Sequence, residues 1–125
     1  MNLTPHKETA LSFLRFVVAG KIRQGFERFV AKEFKHHNPN FAGDRESFLI
    51  AMEKNQEQFP NKIFEAKHVM EEGDWVMVYS LMRPNPVSPG LALIHIFQFR
   101  DDKIVELWDL AQPVPEDSPN KNGMF

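Results

Sequence analysis

Two side chains near the end of the chain, His95 and Asp109, are of the types from which a proton-transfer site is made. One is a carboxylate that can accept a proton, the other an imidazole that can orient it or hydrogen-bond a developing oxyanion. They lie on residues 91–100 and 103–112, two stretches rich in β-branched and aromatic side chains and separated by Asp101-Asp102, so they read as one hairpin. Whether they can meet depends on the turn. A three-residue loop, Arg100-Asp101-Asp102 with Asp102 in the left-handed conformation, sets His95 opposite Leu107 and Leu93 opposite Asp109, which makes His95 and Asp109 diagonal neighbours on one face. A two-residue loop would send Asp109 to the other face, because side chains alternate strictly along a strand. The three-residue form is favoured because it gathers His95, Phe97, Phe99, Leu107 and Asp109 on one surface and leaves Gln98, Arg100 and Glu106 on the other. In such an apolar setting the charged form of a carboxylate is disfavoured, which moves it toward the range useful to a general base. The alternative is that His95 is a hydrogen-bonded strand histidine and Asp109 binds a backbone amide.

Other chemistries lack their residues. The chain has no cysteine, which excludes disulfides, thiolate zinc sites, iron–sulfur clusters and cysteine nucleophiles. There is neither a Gly-rich phosphate loop nor a Gly-x-Ser-x-Gly elbow. His36 and His37 are adjacent and so point apart in an extended segment, and no His-x-His or Glu-x-x-His pattern occurs, so no metal is expected. His6 and His68 read as surface residues. Lys and Arg total 15 against 17 Asp and Glu, interspersed, which gives no one-signed face for nucleic acid or an anionic membrane. No apolar run approaches the roughly 18 residues that span a bilayer, and no secretory signal is visible at the start. A cytoplasmic protein working without a cofactor is the expectation.

The elements that would position the pair follow from the periodicity. Thr4 and Pro5 open a helix that carries Ala10, Leu11, Leu14, Val17 and Val18 on one face and stops at Gly20. Ile22, Phe26, Phe29, Val30 and Phe34 continue at intervals of three and four as a second helix. Asp44 caps a third, with Phe48, Leu49 and Met52 inward, ending before Pro60. From residue 63 the period changes, and residues 63–72, 74–83, 91–100 and 103–112 read as an antiparallel meander. Helices first and strands second, without βαβ alternation, predict an α+β fold with helices packed on one face of a curved sheet around a pocket. A length of 125 residues suits one domain, with an extended Pro-rich tail at about 113–125.

Four segments in this order carry a resemblance: His37-Asn38-Pro39, Glu72-Gly73-Asp74-Trp75-Val76, Ile94-His95-Ile96-Phe97-Gln98-Phe99, and Asp102-Lys103-Ile104-Val105-Glu106-Leu107-Trp108-Asp109. Together with the ending Gln112-Pro113-Val114-Pro115-Glu116 and Asn122-Gly123-Met124-Phe125, the chain resembles the SnoaL-like polyketide cyclases of the nuclear transport factor 2-like superfamily over nearly its whole length. The resemblance implies a cone-shaped fold with a deep apolar pocket and a homodimer through the sheet's outer face. It implies Asp109 as the base and His95 as its partner, with His37, Asn38, Tyr79, Phe97 and Leu107 contacting a small apolar carbonyl compound. The chain departs from the family pattern at Asp102, often Gly, at Leu107, often His, and at Tyr79, also often His. Proton abstraction next to a carbonyl, in aldol-type cyclisation or isomerisation, is the leading expectation. A module that binds a small hydrophobic ligand or dimerises without turnover is the alternative. An epoxide hydrolase, which would need Arg83 or Arg100 beside the carboxylate, is the second.

Overall fold

The computed structural model describes residues 3–125. Three helices, α1 (Pro5–Val18), α2 (Ile22–Phe29) and α3 (Arg45–Gln58), pack on a sheet of five strands: β1 (Val30–His36), β2 (Ile63–Glu72), β3 (Trp75–Arg83), β4 (Leu91–Arg100) and β5 (Lys103–Pro113). Helix starts are where the capping residues put them. The Thr4 hydroxyl accepts from the Lys7 amide with Pro5 in the first turn, and the Asp44 carboxylate accepts from the Ser47 amide at 3.0 Å. That bond holds the Asp44 carboxyl below the usual carboxylate range, because it is made to the charged form.

The strand order is β1-β5-β4-β3-β2, with β1 parallel to β5 and the remaining pairs antiparallel. The first strand corrects the expectation of an uninterrupted helix from Ile22 to Phe34. The helix ends at Phe29, and Val30, Phe34 and His36 then turn inward as alternate residues of a strand. A spacing of four between Val30 and Phe34 satisfies both periods, so the period alone could not separate them.

One core fills the space between helices and sheet. Leu11, Phe13 and Leu14 of α1, Phe26 of α2 and Phe48 and Leu49 of α3 meet Val76, Val78, Phe97, Phe99, Ile104 and Leu107 of the sheet. Phe13 reaches both Phe26 and Phe97 edge-on, at ring separations of 5.4 and 6.2 Å. The side chains facing this core define the concave face. Beyond His36, β1 leaves β5, and β5 continues past Leu107 as a strand paired only with β4. The tail returns over the convex face, where the Tyr79 hydroxyl donates to the Met124 carbonyl at 2.5 Å and the Phe125 ring lies 5.3 Å from that of Tyr79.

Candidate functional site

The β4–β5 hairpin reaches the anticipated face by a different route. Arg100 pairs with Lys103, so the turn has two residues, and Asp101 and Asp102 both adopt positive φ, at 50° and 66°. This is the mirror-image turn favoured in tight hairpins, where Asp tolerates the left-handed conformation. By itself such a turn would put Asp109 on the wrong face. The register then shifts between Gln98 and Phe99: Phe99 faces Ile104, but Gln98 faces Glu106, leaving Val105 as an extra residue on β5. The bulge restores parity. The expected pairing of His95 with Leu107 is thereby corrected. His95 stands directly opposite Asp109, and Phe97 opposite Leu107. Directly opposed residues have β-carbons about 5 Å apart, closer than the diagonal arrangement that the three-residue turn would give.

Asp109 is held from a third element. The Asn38 side-chain amide donates to its Oδ1 at 2.8 Å, while the Asn38 Oδ1 accepts from the Asn40 amide at 2.9 Å. The Asn38 backbone amide in turn donates to Nδ1 of His36 at 3.2 Å. The other nitrogen of His36 meets the Ala42 carbonyl at 2.7 Å, and since a carbonyl can only accept, Nε2 carries the hydrogen. His36 is buried and stacked on Phe48 at 4.0 Å, so a satisfied core histidine locks the loop that presents Asn38. From the sequence alone His36 is expected only to be a poor chelator beside His37. The alternation of residues 36 and 37 along a strand was the available signal that one of them turns inward.

Asn38, Pro39, Asn40, Leu93, His95, Asp109, Leu110 and Ala111 line a hollow of about 310 Å³ that opens beside the unflanked part of β5. His95 is half-buried, and its Nδ1 is enclosed and without a hydrogen-bond partner among the described residues. Burial pushes the His95 imidazole below its ordinary value, an effect that the Asp109 carboxylate opposes but does not overcome. The ring is therefore neutral near pH 7.

The other residues expected at the site divide. Asn38 joins it. Phe97 and Leu107 share the concave face but are sealed in the core at 0% and 2% exposure, so they form the packed floor next to the hollow and do not line it. His37 and Tyr79 are on the opposite side of the sheet, which corrects the expectation that they line the hollow. His37 stacks on Trp108 at 4.6 Å and meets Glu106 at 2.5 Å, because it follows the inward-facing His36. Tyr79 follows Val78, and it is Val78 that pairs with His95, so Tyr79 faces the tail. Neither arginine lines the hollow: Arg100 is exposed at the hairpin tip beside Glu33, and Arg83 ends β3. His6, expected at the surface, is packed instead against Phe99 at 4.4 Å, within reach of Glu71 and Asp102. Among the described residues no group of three or more His, Asp or Glu is placed to hold a metal, and no helix is long and apolar enough to cross a membrane.

Solved structures share this architecture. A provisionally assigned polyketide cyclase from Bacillus cereus superposes with a TM-score of 0.75 at 23% identity, covering 87% of this chain and 75% of its own. A second provisionally assigned polyketide cyclase, from Acidithiobacillus ferrooxidans, gives 0.72 at 17% identity over 90% and 92% of the two chains. A nuclear transport factor 2-like protein of unknown function from Burkholderia xenovorans gives 0.73 at 14% identity over 92% and 88%. At these identities the likeness speaks for the fold. No curated protein matches the sequence. The model of one sequence family does match, over residues 9–115, and by that match the chain belongs to the SnoaL-like polyketide cyclases.

Proposed function

We propose that the chain is a small enzyme, working without a cofactor, that removes a proton from carbon next to a carbonyl. The observation that carries this reading is the direct opposition of His95 and Asp109 at the wall of a hollow, with Asn38 fixing the carboxylate. Asp109 takes the proton. The C–H electron pair moves into the adjoining C–C bond, and the carbonyl oxygen becomes an enolate oxygen that accepts a hydrogen bond from the neutral His95 ring. Returning the proton at another carbon completes an isomerisation, while attack of the enolate carbon on a second carbonyl completes an aldol-type cyclisation. Leu93, Leu110 and Ala111 give the hollow its apolar walls. A volume of about 310 Å³ lies at the lower end of ligand pockets, about 300–1,000 Å³, and matches a small apolar carbonyl substrate.

The test is deuterium exchange at the acidic carbon of a panel of small cyclic and aromatic ketones, comparing the native protein with Asp109→Asn. Exchange in the native protein that disappears in the variant supports the reading; equal exchange in both rejects Asp109 as the base. A second reading, binding without turnover, is favoured by the absence of a hydrogen bond between His95 and Asp109 and by Leu107 standing where related sequences often carry His. Binding of the ketones with no exchange above buffer would select it.

The proposal extends to a homodimer through the convex face, where Met70, Trp75 and Leu110 are 57%, 41% and 70% exposed. Sedimentation of the native protein against Met70→Glu tests it, with a shift toward monomer expected.

A further inference from the structure

Along β3, β4 and β5 the polar side chains on the concave face are Ser80, His95 and Asp109, set among Val76, Val78, Leu93, Phe97 and Leu107. Asp109 has its partner in Asn38. Ser80 Oγ and His95 Nδ1 are both closed off from solvent and have no hydrogen-bond partner among the described residues. The register brings these two together. Ser80 pairs with Leu93 and Val78 with His95, so Ser80 and His95 are diagonal neighbours on adjoining strands. At a diagonal separation of about 7–8 Å, a short serine side chain meets an imidazole through a single water.

Ser80 is wholly buried at 0% exposure, and its cross-strand partners on either side, Ala66 and Leu93, offer its hydroxyl nothing. Two residues earlier on the same face β3 carries Val78, and an alanine or valine would pack at position 80 without a polar atom to satisfy. A buried hydroxyl in that place calls for a partner, since nearly all such groups have one. The remaining candidate on this face is the imidazole nitrogen turned away from solvent.

We propose that Ser80 is a positioning residue for His95: its hydroxyl holds one bridging water that donates to Nδ1, and so keeps the ring hydrogen on Nε2. The consequence for chemistry rests on the proton-abstraction reading above, in which a neutral imidazole must present a hydrogen to the enolate oxygen. A neutral ring has one hydrogen and two nitrogens, and the hydrogen bond at one nitrogen decides what the other offers. Ser80 would then act on the reaction without touching the substrate.

The experiment uses protein labelled with nitrogen-15 at histidine, with the ring nitrogen shifts of His95 read near pH 8, where the ring is neutral. The native protein is expected to hold the hydrogen on Nε2, and Ser80→Ala, which removes one oxygen and leaves the packing, is expected to shift the ring toward a mixture of both tautomers. In the exchange assay Ser80→Ala is expected to lower kcat by about tenfold or more with little change in KM, as for the loss of a donor at a developing oxyanion. Ring nitrogen shifts that are the same in the native protein and Ser80→Ala overturn the proposal. The tautomer measurement needs no turnover, so it separates the two claims. If Asp109→Asn exchanges as fast as the native protein while Ser80→Ala still moves the His95 shifts, the proton-abstraction reading fails and the Ser80 assignment stands.

Discussion

The two halves of the β4–β5 hairpin share one ladder but lead opposite lives. Near the turn, Phe97, Phe99, Ile104 and Leu107 are pressed between β1 and the helices and are buried. Farther along, Leu93, His95, Asp109 and Ala111 face a hollow, because β1 has already left the sheet. The difference lies in what stands beside and above the strands, not in the strands themselves. The packed half fixes the position of the open half to within the precision of a strand register, while the open half is left free of the packing that would occupy its polar groups. The contrast predicts that changes near the turn act on stability and changes beyond it on chemistry.

The largest effect is expected from Phe97→Ala, which opens a cavity in the packed half. It should cost about 3–5 kcal/mol in urea unfolding, and Leu93→Ala on the same strand, half-exposed at the hollow, should cost well under half of that. Equal losses would break the division. Asp109→Asn should do the reverse, reducing exchange by about a hundredfold or more while the unfolding free energy stays within about 1 kcal/mol of native.

Asn38→Ala comes next. Removing one hydrogen bond to a carboxylate is worth about 1.5–3 kcal/mol at most, so exchange should fall by about ten- to a hundredfold, less than for the loss of Asp109 itself.

The smallest effect is a slope in stability with pH. Because burial depresses the His95 pKa in the folded protein, the unfolded chain binds more protons once pH falls below the ordinary histidine value, near 6.5. The contribution is therefore fully present above that value and is lost as pH falls toward the depressed pKa. Chemical denaturation between pH 7.5 and 5 should show this decline, and His95→Asn should flatten it.

The packed half was the more legible in the sequence. Thr4-Pro5 and Asp44 gave the helix starts, and the four late strands were readable from their alternation, because local caps and periods decide them. The open half required facts that are not local. His95 and Asp109 were placed on one face by a turn that is not the one formed, since the extra residue at Val105 leaves no mark in the pattern of apolar residues. Tyr79 is expected at the pocket from the resemblance alone, and the parity of β3 against β4 that turns it away is set by the 84–90 connection, whose geometry no period reveals. Asn38 is expected at the mouth of the site, but its bond to Asp109 depends on β1, a strand whose apolar spacing also fits a helix. Ser80 could not be singled out at all: a serine in an apolar strand acquires meaning only when its neighbour across the ladder is known.

The bulge at Val105 also constrains how this hairpin can change over time. Straightening the bulge without removing a residue would invert every position after it, turning Trp108 into the hollow and Asp109 out of it, whereas deletion of Val105 itself would leave a regular ladder with Asp109 still opposite His95. Relatives that keep the site are therefore expected to vary this turn and bulge together: a three-residue turn without a bulge at the same length, or a two-residue turn without a bulge in a hairpin one residue shorter.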